Sequence, residues 1–380
     1  MQATEATILA LNSGSSSLKF ALFRRGADDE HAVLEGSAEN VGKAQGRLRI
    51  RDGDGQVLHD DRYGMPTQAD ALAIVARTLG ETGASPPAAI GHRIVHGGPR
   101  LRAHQALTAQ VLAQLRAAVH FAPLHIPIAV SLIEQAQALW PHARHFACFD
   151  TAFHNTLPAR AMRLPIPARY ADAGVARYGF HGLSYASLVH RLGPDLPARA
   201  VFAHLGNGAS LCAVMDGRSI DTSMGMTPTG GIPMGTRSGD LDPGVLLYLM
   251  RSEGLDAEKL EHLLNRDSGL AGIAEGESDM QTLAARAAAG DELAALAVEV
   301  FATAVRKQIG AYAALMGGID VLVFTGGIGE HSAEVRRRIV QGLAFMGIGP
   351  AVPGPGVMIV PTEEERQIAR HCRELLDGTP

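Results

Sequence analysis

The stretch ILALNSGSSSLKFAL at residues 8–22 returns in altered form as VFAHLGNGASLCAVM at residues 201–215, an offset of 193 in a chain of 380 residues. In both copies an apolar run enters a turn of Gly, Ser and Asn, passes through Ser-Leu and leaves as a second apolar run. Two such turns at equal places in two halves point to duplicated domains, and the length suffices for two domains of ordinary size. Two unrelated hairpins would give the same local pattern. The segments ILAL, KFALF, HFACFD, RAVFAHL, LCAVMDG and VLVFTGG read as strands, short and closed by turn residues. Between them lie Ala-rich helical stretches. The longest is predicted from near Asp291 to Met316, with Leu293, Leu296, Val300, Phe301, Ala304 and Val305 at helical spacing and Gly317 and Gly318 as its stop. Strands mixed with long helices argue an α/β architecture.

A formal charge of −5 and a pI near 6.3 leave no electrostatic footprint for nucleic acid or an anionic membrane. No apolar run is long enough to span a bilayer. The start MQATEATILALNSG lacks the basic residues and long apolar core of a secretory leader, so a cytoplasmic location is expected. The three cysteines, Cys148, Cys212 and Cys372, show no metal spacing and cannot all pair, which suits buried thiols in a reducing compartment.

Three Gly-rich turns invite an anion. The turn at residues 12–17 is no Walker A loop, because no Gly-Lys-Ser/Thr follows its glycine. Its serine hydroxyls, Asn12 and the nearby Lys19 nevertheless suit a phosphate, although a generic hairpin would look similar. HLGNGAS at 204–210 offers two glycines for close backbone approach to a ligand. FTGGIGEHSAEVR at 324–336 ends a strand in Gly326, Gly327 and Gly329 and starts a helix with Ser332 as predicted N-cap. Such a junction presents backbone N–H groups and a positive helix end. Each alone is also compatible with a tight structural turn; three in one chain point to nucleotide or phosphate binding.

Charged residues in apolar surroundings extend this reading. Arg93 is embedded in GHRIVHGG and Arg237 in the Gly-rich MGTRSGDLDPG, where a guanidinium requires an anionic partner. Asp150 closes the strand HFACFD, the end at which α/β sheets place ligand-binding groups. His125 lies between prolines in APLHIP, and His181 on a Gly-flanked turn in YGFHGLS. Either histidine alone is more often structural than catalytic. Together with the arginines, the aspartate and the three turns they match the parts required for phosphoryl transfer.

ALNSGSSSLKF, GHRIVHGG, APLH, FDTAFH, RYGFHG, HLGNGAS, DTSMGMTP, MGTRSGDLDPG, FTGGIGE and PTEEE follow one another in the order and approximate spacing of the acetate kinases, so the chain resembles that family over nearly its whole length. The resemblance implies an α/β fold of two duplicated actin-like ATPase (ribonuclease H-like) domains flanking a nucleotide cleft. Residues 1–150 would form an acyl-substrate and phosphate domain with 366–380 packing back on it, and residues 151–365 a nucleotide-binding domain. The implied reaction is reversible transfer of a phosphoryl group from ATP to acetate, giving acetyl phosphate, with Mg²⁺ (or Mn²⁺) as the metal and a homodimer as the assembly. No nucleic acid or membrane partner is implied.

Carried over residue by residue, the resemblance places Asn12 and Glu364, the second Glu of TEEE, near the metal. It places Lys19, His204, Leu205, Gly206, Asn207 and Gly208 at the ATP, with Asp279, Met280 and Gln281 and with Gly327, Ile328, Gly329, Glu330 and His331. Arg93 and Arg237 resemble the pair that handles the carboxylate and the transferring phosphoryl. His181, and less directly His125, resemble the transition-state stabilisers, and Asp150 the catalytic aspartate. Val95, Leu124, Phe180 and Pro228 resemble the walls of a small pocket for the acyl methyl.

The sequence departs from the family pattern in several places. Ile126 stands for Asn after APLH, and Leu183 and Tyr185 for the commoner Thr and His. Gln281 replaces Arg, His331 replaces Asn, and residues 349–361 are compressed. These changes bear on nucleotide preference and turnover more than on reaction class. Propionate kinase is the nearest rival reading, and butyrate kinase a more distant one. A non-catalytic nucleotide switch of the same superfamily would not need a second anion site of Arg93 and Arg237, and a degenerate kinase would be motivated by Ile126 and Gln281.

Overall fold

The computed structural model describes residues 7–14, 16–26, 29–349 and 356–378. The chain divides into two units, one of Met1–Ala152, Gly182–Ser187 and Glu363–Pro380 and one of Phe153–His181 and Leu188–Thr362. Against the expected boundaries, the first unit also takes in Gly182–Ser187, and its last segment begins at Glu363 rather than at 366.

The sheet of the first unit is built from β1 (Thr7–Ser13), β2 (Ser17–Arg25), β3 (Glu30–Glu39), β4 (Gly46–Asp52), β5 (Val57–Tyr63), β6 (Ala89–Ile94), β7 (Gln105–Ala106) and β8 (Arg144–Phe149). Their order is β5-β4-β3-β2-β1-β6-β8-β7. The second unit holds β9 (Arg199–Leu205), β10 (Ala209–Met215), β11 (Arg218–Thr222), β12 (Val321–Thr325) and β13 (Gly356–Ile359), in the order β11-β10-β9-β12-β13. The run β3-β2-β1-β6-β8 matches this second sheet strand for strand. In each, three antiparallel strands come first, and two more follow parallel to the central one. The repeat read from residues 8–22 and 201–215 is thus the first hairpin of a duplicated fold. Asn12 lies opposite Lys19 in one copy and His204 opposite Ser210 in the other.

All six strands read from the sequence are present, as β1, β2, β8, β9, β10 and β12. Strands β3 to β5 escape a search for apolar runs because they form a half-exposed extension. RLRIRD and VLHDDRY carry the charges that protect an exposed edge from further pairing, with Arg47 Nε donating to Asp60 Oδ1 at 2.6 Å.

The long helix runs Glu292–Met316, capped by Asp291 and closed by Gly317, as expected. Its buried face agrees in part: Phe301 and Val305 face the core as expected, together with Ala294, Ala297, Val298 and Ala302, whereas Leu293, Leu296 and Val300 are exposed. Both stripes satisfy helical spacing, and the alanine stripe admits closer packing of the helix on its sheet. Among the described residues no helix is long and apolar enough to cross a membrane. All three cysteines are free and buried.

The helix Glu364–Asp377 docks on the first sheet through Ile368, Ala369 and Cys372, which pack with Ala10, Phe146 and Cys148. Gly91 on β6 makes this approach possible, because a Cβ there would overlap Ile368 Cγ2 and lie 2.6 Å from Cys372 Sγ. Neither atom belongs to the free end of a long side chain, so the helix itself would have to move. Gly91→Ala is therefore expected to destabilise the fold by about 1–3 kcal/mol, seen as a lower urea midpoint; an unchanged midpoint would show that the helix yields without cost.

Candidate active site

In the first unit, β1, β6, β8 and the helix Glu364–Asp377 bring their ends to one polar cluster. Arg93, next to last on β6, approaches Asp150, one residue beyond β8. Its Nε lies 3.0 Å from both carboxylate oxygens, and its Nη2 donates to Oδ2 at 2.6 Å. Arg93 Nη1 donates to Asn12 Oδ1 at 3.0 Å. The Asn12 amide nitrogen in turn donates to Glu364 Oε2 at 2.8 Å and to Glu365 Oε1 at 2.7 Å. Asp150 and Asn12 are buried, at 1% and 5% exposure. Burial pushes the Asp150 carboxyl above the ordinary carboxylate range, and Arg93 draws it partly back. Burial opposes the Arg93 charge as well, but Asp150, Glu364 and Glu365 outweigh it and hold the guanidinium above its usual value.

Glu365, the third Glu of PTEEE, did not emerge from the sequence. Burial pushes its pKa up, and the Glu364 charge adds to the rise, while Lys19 and the Asn12 amide counter it. The side chain of Lys19 is itself exposed between buried Leu18 and Phe20. Three carboxylates therefore share a cluster with two cations, an imbalance that a divalent cation would relieve. Among the described residues no three His, Cys, Asp or Glu converge as a protein-only metal cage. One or two carboxylates completed by water and phosphate oxygens is the ordinary donor set for Mg²⁺, and Glu364 and Glu365 fit it.

In the second unit a separate set of groups surrounds the β9–β10 turn. His181 has left-handed backbone, φ 57°, just before the helix Gly182–Leu192. Its ring stacks on His204, with centroids 4.2 Å apart and planes 18° from parallel, and its Nδ1 lies 2.9 Å from Ser210 Oγ. A Cβ placed on Gly208 would lie 3.4 Å from His181 Nε2 and 3.5 Å from Arg237 Nη1, so both nitrogens converge above this bare Cα. Arg237 Nη1 also donates to Pro228 O at 3.2 Å. His154, which the sequence reading passed over, is buried behind His181. Its Nε2 lies 3.0 Å from Phe180 O and its Nδ1 2.8 Å from Ser219 Oγ, so the ring donates to the carbonyl and accepts from the hydroxyl. It thus holds the peptide that precedes the left-handed residue.

The other expected site residues take varied positions. Leu205, Phe180, Met280 and Pro228 have buried side chains, so Leu205 and Met280 can offer a ligand only their backbone. Asn207 is exposed at the turn, and its carbonyl accepts from Gly235 N at 3.2 Å. Gly206 N donates to Gly208 O within the same turn. Asp279 caps the helix Met280–Ala288, on which Gln281 is exposed. GGIGE is helical rather than an open loop: Gly326–His331 is one short helix, and Ser332 caps the next, Ala333–Gln341. Gly327 and His331 are exposed, Ile328 half-buried and Gly329 buried. Glu330 Oε1 accepts from Gly326 N at 2.9 Å and Thr362 N at 3.3 Å, a bracing role within the unit. In the first unit Val95 and His125 are half-buried and Leu124 is exposed. His125 precedes the helix Ile126–Leu139, whose first residue is 1% exposed, so the unusual Ile126 is a core residue. Leu183 packs against the helix Glu364–Asp377, and Tyr185 is fully buried. Of the compressed segment, residues 350–355 lie outside the described residues and 356–359 form β13.

The model of the acetokinase family matches residues 7–351. The acetate kinase of Methylocella silvestris is 42% identical, the match covering 97% of this chain and 98% of that protein. The crystal structure of Porphyromonas gingivalis acetate kinase superposes with a TM-score of 0.86 at 34% identity, covering 98% of this chain and 100% of that one. A propionate kinase from Francisella tularensis superposes with a TM-score of 0.89 at 35% identity, covering 96% and 98%. The two units with their matched sheets accordingly have the duplicated actin-like ATPase fold.

The support beneath His181 carries a titration. Burial pushes His154 from the ordinary 6.5 down to about 4, the hydrogen bond to Phe180 O recovering only part of the shift. Between those values the unfolded chain binds a proton that the folded chain does not. Stability from this residue is therefore complete above pH 6.5 and is lost as pH falls toward 4, by about 3 kcal/mol. The buried His92, pushed down to about 3, works in the same direction. Urea midpoints should fall across this window, and His154→Gln should flatten part of the slope. A slope unchanged in that variant would remove His154 as a source.

Proposed function

Because the chain belongs to the acetokinase family, we propose that the clusters described above transfer a phosphoryl group between ATP and the carboxylate of acetate, reversibly and in line. The chain is a phosphotransferase with a carboxyl group as acceptor. The observation that carries the detailed reading is the Arg93–Asp150–Asn12 network ending on Glu364 and Glu365. A carboxylate nucleophile is already ionised at neutral pH, so the reaction needs no base to create it. What opposes the reaction is the approach of two anions, which cationic and N–H donors offset.

Arg93 would receive the acyl carboxylate, and Asp150, which accepts from it at 2.6 Å, orients the guanidinium rather than removing a proton. Val95, Leu124, Phe180 and Pro228 would line the methyl. Arg237 Nη1 and His181 Nε2 would stabilise charge on the transferring phosphoryl, with His125 as a further donor. The β9–β10 turn, the helix Gly326–His331 and residues 279–281 would hold the nucleotide, so the second unit would form the nucleotide side and the first unit the acyl side. Glu364, Glu365 and Asn12 would hold Mg²⁺ (or Mn²⁺), which when bound neutralises phosphate charge.

Propionate is the second reading, supported by the similarity to a propionate kinase. One methylene decides between them and is worth only about 1–3 kcal/mol. A homodimer in the cytoplasm completes the proposal. The helix Pro243–Ser252 buries none of its residues and exposes Val245, Leu247, Met250 and Tyr248, the last at 65%, which supports a second copy as its cover.

Two measurements test these statements. Incubation with ATP, Mg²⁺ and acetate, propionate or butyrate in turn, with hydroxylamine to trap acyl phosphate, should yield hydroxamate fastest from acetate and none without the metal. No hydroxamate from any of the acids would overturn the kinase reading. Light scattering should give the mass of two 40.0 kDa chains, falling toward one chain in Leu247→Asp/Tyr248→Asp; a monomeric parent protein would overturn the dimer.

A further inference from the structure

Ser210 is the second residue of β10 and lies opposite His204 of β9 in the register of the hairpin. The same strand pair thus supplies two neighbours of the His181 ring, His204 against its face and Ser210 at its Nδ1. Behind the ring, His154 holds the Phe180 carbonyl. The imidazole is constrained by its backbone, by a stack and by a hydrogen bond, and the edge aimed at Arg237 and Gly208 is Nε2.

Which imidazole nitrogen bears the proton is set by the bond made at the other one. A serine hydroxyl can donate to Nδ1, and the ring proton then resides on Nε2. With the proton on Nδ1 instead, Nε2 would present a lone pair to an incoming phosphoryl oxygen and repel it. The hydroxyl of Ser210 is fully buried, away from water that could substitute for it.

We propose that Ser210 is a positioning residue for the transfer reaction: its hydroxyl fixes the orientation and tautomer of His181 so that Nε2–H faces the phosphoryl group. This rests on the reading that His181 serves that transfer.

The test compares Ser210→Ala, Ser210→Cys, His181→Ala and the double variant, all as full-length protein. Two readouts are used: acyl-phosphate formation, and two-bond ¹H–¹⁵N correlation of the labelled histidines, with His181 assigned by its absence from the His181→Ala spectrum. His181→Ala should lower kcat by about 10²–10³. Ser210→Ala should lower it by about 10-fold or more, with KM for acetate and ATP within about twofold, since misorientation acts on the chemical step. The His181 signals should leave the Nε2–H pattern in Ser210→Ala, and Ser210→Cys, of similar size, should recover part of both effects. The double variant should be no slower than His181→Ala.

Wild-type kcat in Ser210→Ala beside an impaired His181→Ala overturns this inference alone, as does an unchanged tautomer or a double variant slower by the product of the two effects. Wild-type kcat in His181→Ala overturns the reading beneath it, whatever Ser210→Ala does. If Ser210→Ala fails to fold, Ser210→Cys carries the comparison, and wild-type kcat and tautomer in that variant, whose thiol is a weak donor, overturn the proposal.

Discussion

The contact between Arg93 and Asp150 is what the rest of the first unit is arranged around. Removing two ions from water costs more than their mutual attraction returns unless the remaining donors and acceptors are also met. Here they are met in sequence. The second carboxylate oxygen takes a second N–H, the far guanidinium nitrogen reaches Asn12, and Asn12 passes its two amide protons to Glu364 and Glu365. Each member is held by one whose own position depends on a different element. The cluster therefore specifies where the ends of three strands and one helix must lie, and its excess of carboxylate makes that place attractive to a metal.

The cluster of the second unit is of another kind. Its polar groups include an arginine, three histidines and serines, and they are organised around a glycine that contributes nothing but space. Gly208 allows His181 Nε2 and Arg237 Nη1 to approach one point closely. The duplication makes the contrast visible, because Ser17 and Ser210 are equivalent positions of the repeat. Ser17 braces its own turn, its carbonyl accepting from Gly14 N at 2.8 Å, whereas Ser210 engages a histidine.

The sequence exposed what is local and repetitive. The hairpins β1–β2 and β9–β10, the long helix with its Asp291 and Gly317 ends, and Arg93, Asp150, His181 and Arg237 all stood in short, unusual strings. Three kinds of feature stayed hidden. The β3–β5 extension is half-exposed and charged, so it shows neither a continuous apolar run nor a clean alternation. The buried face of the 292–316 helix was legible only in part: Phe301 and Val305 lie on it, but toward its start packing chose Ala294, Ala297 and Val298 over Leu293, Leu296 and Val300, which have the same spacing. Glu365, Ser210 and His154 look ordinary in the sequence, since their interest lies in partners dozens to hundreds of residues away. The repeat does place Ser210 beside a Gly-rich turn, the one hint the sequence offers.

The first unit closes only with the helix Glu364–Asp377, encoded after the whole of Leu188–Thr362. On the ribosome its sheet can form early, but the surface of β1, β6 and β8 that receives Ile368 and Cys372 stays uncovered while the second unit is made. Domains otherwise tend to fold as they emerge, N-terminal first. In this chain the order is inverted for the part that matters. The second unit can be finished before the first, and Asn12 waits for its carboxylate partners until everything between them, the whole of Leu188–Thr362 included, has been made.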